Sequence, residues 1–185
     1  MFPRILSFAG GAALAVDLLA SGAQAQTAAG DAQSIRFAEA AQAFLATLSA
    51  EQRSATIFPF DDPEQRSRWT NFPDGAVLQR LGTKWGDMDE AQRAALMEML
   101  GAVLSERGVA MVRNQMDADD VTASLSSGES DSGRPPVNFG GDFYYVSFVG
   151  EPAADAPWML QFGGHHLAIN ATMNAIAVTP TVYQR

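Results

Sequence analysis

Apolar residues recur at helical spacing through the first two thirds of the chain and alternate with polar ones through the last quarter. Phe37, Ala41, Phe44, Leu45 and Leu48 fall on one helical stripe, which predicts an amphipathic helix. Ser49 followed by Gln52 spells a capping box and restarts the chain as a short second helix. Ile57–Phe60 is a short apolar run, closed by Asp61, Asp62 and Pro63. There Asp62 fits an N-cap with proline at the first helical position. Prolines and glycines from Asn71 to Gly86 predict loop. Asp89 and Gln92 form a second capping box before Leu96, Met99, Leu100, Val103 and Leu104, with Gly108 as the stop signal. Val109, Val112 and Met116 predict one more helical segment, and Ser126–Asp142, rich in Gly, Ser and Pro, predicts a flexible loop.

Beyond that loop the period becomes two. Phe143–Val149, Trp158–Phe162, His165–Thr172 and Ala175–Thr179 read as strands. Helices first and strands second predict the α+β class, an N-terminal helical layer followed by an antiparallel β-meander. Gly163-Gly164 reads as a two-residue hairpin turn, which sets Phe162 opposite His165 and Gln161 opposite His166. One face then carries Trp158, Leu160, Phe162, His165, Leu167 and Ile169. The other carries Met159, Gln161, His166, Ala168 and Asn170. Neighbouring strand residues point oppositely, so this register keeps the two histidines from ligating one metal together.

Composition narrows the chemistry. The 185 residues hold 12 Lys+Arg against 21 Asp+Glu, a formal charge of −9, which argues against nucleic acid or an anionic membrane as partner of the mature form. With no cysteine, disulfides, thiolate metal sites and a cysteine nucleophile are excluded. Met1–Ala25 has the parts of a signal peptide: Arg4, an apolar run over Ile5–Val16, and Ala23-Gln24-Ala25 as the cleavage site. The run is short of the roughly 20 residues that span a bilayer. The expected layout is a signal peptide over 1–25, removed after Ala25, a flexible leader over 26–36, and one α+β domain over 37–185. The protein is expected to be exported, periplasmic or extracellular.

Candidate chemistry centres on the only two histidines. His166, beside Gln161 and Asn170, is the candidate general base or metal ligand, while His165 in an apolar row reads as a hydrogen-bonded core residue or a second metal ligand. Asp61 and Asp62 are a candidate carboxylate pair, with helix capping as the competing role. Asp117, Asp119 and Asp120 lack the spacing of an EF-hand and read as a solvated helix end. The G-x-S-x-G pattern fails around Ser130, and H-E-x-x-H, P-loop and G-x-G-x-x-G motifs are missing from the sequence. Asn170-Ala171-Thr172 matches a glycosylation sequon inside a predicted strand. Trp69, Trp85 and Trp158 read as core.

The blocks EQRSATIFPFDDPEQRSRW, LSERG, YYVSFVGEP and PWMLQFGGHHLAIN together resemble the bacterial domain-of-unknown-function family 3500, over about Phe37 to Thr172. The resemblance implies an exported protein and carries no activity with it. It puts Asp61, Asp62, Trp69, Trp158, His165 and His166 in the family's characteristic blocks. It also implies a longer chain, so this one is expected to be incomplete at its C-terminal end. The leading functional expectation is a small-molecule or metal-binding domain supporting hydrolysis, with a site near His166 and a divalent metal as its possible cofactor. Against it stand a non-enzymatic periplasmic or cell-surface module that binds a protein or small molecule, and a truncated non-functional remnant.

Overall fold

The computed structural model describes residues 32–126, 137–174 and 178–184. The expected signal peptide lies outside them. The first helix, α1, runs over residues 32–47. Residues 32–36, expected in a flexible leader, are therefore helical. Ser34 and Phe37 are both buried, so the buried face of the helix starts a turn earlier than its first aromatic residue. Helix α2 (Ala50–Thr56) opens on the Ser49/Gln52 capping box, and α3 (Pro63–Ser67) on Asp62, whose carboxylate accepts from the Gln65 N–H. Helix α4 (Glu90–Val103) opens on the Asp89/Gln92 box.

Helix α5 (Glu106–Ser126) is where the stop signal was misplaced. Gly108 lies in its first turn, and the break comes at Leu104-Ser105, where Ser105 Oγ accepts from the Gly108 N–H at 3.1 Å. The serine acts as an N-cap, which outweighs the glycine.

Among the described residues six strands form one mixed sheet: β1 (Ile57–Phe58), β2 (Thr83–Lys84), β3 (Tyr145–Val149), β4 (Pro157–Gly164), β5 (Leu167–Asn174) and β6 (Val178–Gln184). Strands β3 to β6 make the expected antiparallel meander. The two short strands β1 and β2 share the other edge of β3, β1 parallel beside Phe148 and Val149, β2 antiparallel beside Tyr145 and Val146. The meander is thus joined to the helical half by backbone pairing as well as by packing, and the fold is α+β.

The core lies between one face of the sheet and α1, α4 and the buried residues of α5. Phe37 packs on Trp158 with ring centroids 4.5 Å apart, and Trp158 on Phe148 at 5.8 Å. Leu96, Met99 and Leu100 close the layer from α4. The opposite face is polar and is covered by α3 and the chain that follows it. Gln65, Ser147 and Gln161 hydrogen-bond to one another there while nearly fully buried. Of the expected loop over 126–142, Ser126 ends α5, residues 127–136 lie outside the described ones, and 137–142 are tied in. Asn138 bridges to Asp74, and Gly141–Phe143 forms a 3-10 turn.

Candidate functional site

The β4–β5 hairpin turns at a different place from the one expected. Gly163 pairs with Ala168 and Gly164 with Leu167, so the two loop residues are His165 and His166. Both glycines are needed in the strand by close approach: a Cβ on Gly164 would sit 2.6 Å from the Tyr144 ring, and one on Gly163 would sit 2.5 Å from the Leu167 carbonyl. His166 takes up the positive φ of the turn, +59°, a conformation histidine visits more readily than most side chains. The pairing slips by an even number of residues. Trp158, Leu160, Phe162, Leu167 and Ile169 therefore keep their common face, and only the histidines leave the sheet.

Three groups fix the turn. Tyr144 Oη donates to the His165 carbonyl at 2.7 Å, and the His166 N–H donates to the Asn71 carbonyl at 2.8 Å. Arg80 Nη2 donates to the Gly164 carbonyl at 2.9 Å and also reaches the carbonyls of Thr70 and Phe72. Arg80 is 8% exposed, and burial lowers its pKa while the Asp74 charge opposes that shift. One buried guanidinium thus ties the chain over residues 70–72 to the hairpin tip.

The His165 ring meets Asp119, a residue expected at a solvated helix end. Its Nδ1 stands 2.6 Å from Asp119 Oδ1, and the Asp119 side chain is 1% exposed. The other Asp119 oxygen accepts from the Gly140 N–H at 3.0 Å, and Asp120 accepts from the Gly141 N–H at 2.6 Å. Asp119 and Asp120 thus clamp the chain at 140–141, beside Phe139, whose ring meets the His165 ring edge-on at 5.1 Å. Val112, Met116 and Asp119 fall on one helical stripe that is buried, and this was the available signal: a carboxylate in phase with apolar residues.

His166 stacks on His165 with ring centroids 4.0 Å apart, so the rings lie together instead of on opposite faces. Its Nδ1 is buried without a hydrogen-bond partner. Burial, and then the neighbouring His165, lower the His166 pKa from its ordinary 6.5. Burial and the charge of Asp119 raise the Tyr144 phenol, while burial and Asp74 push Tyr145 up to about 12. Both phenols are therefore hydrogen-bond donors near neutral pH.

The remaining candidates fare differently. Asp62 is the N-cap of α3, its Oδ1 2.9 Å from the Gln65 N–H, and Asp61 is exposed. Among the described residues neither carboxylate is hydrogen-bonded to the histidines, and capping accounts for Asp62. Trp158 is buried as expected, but Trp69 is 45% exposed. Asn170 of the sequon lies in β5 and is half-buried. For a metal, His165 has its Nδ1 engaged by Asp119, and no group of three His, Asp or Glu side chains converges among the described residues. That set falls short of the three protein ligands typical of a catalytic zinc. Among the described residues, no helix is long and apolar enough to cross a membrane.

An α+β domain in which a partly exposed histidine at a hairpin tip meets a buried aspartate is thus the class that fold and site define. The family model described as "Protein of unknown function (DUF3500)" matches residues 31–183, and the chain belongs to that family. No curated protein and no solved structure matches it.

Proposed function

We propose that the chain is an acid–base enzyme acting on a small molecule, with hydrolysis as its reaction class, His165 as general base and Asp119 as the residue that orients it. The observation carrying this reading is the 2.6 Å contact between His165 Nδ1 and a carboxylate that solvent hardly reaches. An ionised Asp119 accepts the Nδ1 proton, which leaves the lone pair on Nε2, the nitrogen that can take a proton from water or a substrate hydroxyl. Asp119 is itself held by the Gly140 N–H, so the imidazole is fixed in both tautomer and direction. His166 flanks this base as a neutral ring. The assignment moves the base from His166 to its neighbour and gives Asp61 and Asp62 no part in it. The Met1–Ala25 pattern supports an exported location, read out by N-terminal sequencing of the secreted protein.

The test is hydrolysis of small p-nitrophenyl esters by the purified chain. His165→Gln is expected to lower the rate by roughly 100- to 10,000-fold. Asp119→Asn should act in the same direction, since its amide turns the imidazole to the wrong tautomer. Undiminished turnover in a folded His165→Gln variant would remove the proposal. A second reading, a non-enzymatic binding module, draws on Phe72 and Val77, 55% and 64% exposed, in the segment bonded to the hairpin tip. It predicts partner binding that survives His165→Gln.

A further inference from the structure

The polar face of the sheet holds a second feature, independent of the acid–base reading. Between β3–β5 and the chain over residues 65–81 lies a cavity of about 30 Å³, lined by Gln65, Arg68, Arg80, Tyr145, Ser147 and Asn170, with Trp69 also on its wall. By volume it has room for about two water-sized groups. Buried side-chain atoms without a hydrogen-bond partner are few among the described residues, and four of them belong to this lining: Gln65 Oε1, Asn170 Oδ1, Arg68 Nε and Arg80 Nη1. Native structures seldom leave such atoms unpaired, and a cluster of them in one cavity points to an occupant.

The surrounding network fixes what the occupant must offer. Gln161 Nε2 donates to the Arg66 carbonyl, which turns Gln161 Oε1 toward Gln65 and Ser147. Gln65 Nε2 donates to that oxygen at 3.0 Å and to Ser147 Oγ at 3.1 Å, leaving Gln65 Oε1 as an acceptor in want of a proton. Asn170, paired with Gln161 across the strands, adds a second acceptor. The two guanidinium nitrogens are donors only. Arg68 is paired with Glu64, and Arg80 with Asp74 at 3.7 Å, beyond hydrogen-bond reach, so both cations are balanced before any ligand arrives.

We propose that this cavity binds the head of a primary carboxamide or ureido compound. Such a group carries two N–H donors for Gln65 Oε1 and Asn170 Oδ1 and a carbonyl oxygen whose two lone pairs meet Arg68 Nε and Arg80 Nη1. It is neutral, as the balanced arginines favour. A carboxylate would leave both carboxamide oxygens unpaired, and an ammonium would leave both arginines so.

The experiment is saturation-transfer NMR of acetamide with the full chain, followed by competition. Acetamide, with four heavy atoms, is expected to bind saturably in about the millimolar range. Urea should displace it and acetate should fail to. Asn170→Leu, which removes one acceptor, should weaken binding at least tenfold. If that variant does not fold, the competition on the unaltered chain decides. Acetate binding as well as acetamide, absence of a saturable acetamide signal, or crystals soaked in acetamide that show only water in the cavity would each overturn the proposal.

Discussion

Strands β3 to β5 present two faces built from alternating residues of the same segments, and the two are held by different physics. Toward the helices stand Val146, Phe148, Trp158, Leu160, Phe162, Ile169 and Ala171, nearly all fully buried. Toward α3 stand Tyr145, Ser147, Gln161 and Asn170, linked by named hydrogen bonds or left with unpaired atoms. The apolar face gains from burial without direction, so each residue contributes through its area. On the polar face each group is costly until its partner is in place, so residues contribute as pairs. The hairpin tip joins the two: Tyr144, under Gly164 in the core, holds the His165 carbonyl, while Arg80 from the polar side holds the Gly164 carbonyl.

The largest expected effect is on the apolar face. Trp158 is fully buried and touches Phe37 and Phe148, and its indole N–H donates to the Ala153 carbonyl at 2.9 Å. Trp158→Ala should cost about 3–5 kcal/mol of unfolding free energy in urea titration. A loss under about 1 kcal/mol would mean that the layer repacks and that the two faces differ less than their contacts imply.

The polar face should show smaller single effects and a coupling. Gln161→Leu takes away the acceptor shared by one Gln65 Nε2 proton and the Ser147 hydroxyl and should cost about 1–3 kcal/mol. Adding Gln65→Leu removes the other partner as well, so the double variant should lose less than the two single losses together. Strict additivity would show that the carboxamide bonds act independently, and the contrast with the apolar face would fall.

Local rules were legible in the sequence; their long-range settings were not. The α1 stripe, both capping boxes and Asp62 before Pro63 depend on residues within one or two turns, and each stands as read. Strand faces were legible because alternation fixes parity. Register was not, since it depends on Tyr144 meeting Gly164 and on Leu167 closing over Gly163 from another strand. Glycine beside glycine signals a turn only where nothing distant demands the missing Cβ. Asp119 was hidden for a similar reason. Three acidic residues in a row of four look solvated until His165, 46 positions away, and the Gly140 N–H are brought to the middle one. The edge pairing of Ile57 with Phe148 likewise joins segments that share no pattern. The sequence therefore points to His166, whereas the carboxylate contact in the folded chain falls on its neighbour His165.

The smallest expected effect probes the tip itself. Burial and the adjacent His165 hold the His166 imidazole below 6.5, and the Asp119 charge opposes them. Between that lowered value and 6.5 the unfolded chain binds more protons than the folded one, so stability rises with pH across the window and is lost as pH falls through it. The ring is partly exposed, and solvent screens the effect to a gentle slope. Other groups titrate nearby, so the quantity to read is the difference between the chain and His166→Asn, a residue that tolerates positive φ and does not titrate. The urea midpoint of the unaltered chain should climb more steeply toward and through pH 6.5 than that of the variant. Parallel slopes would show that His166 is as well solvated folded as unfolded, which its buried Nδ1 and the ring stacked 4.0 Å away argue against.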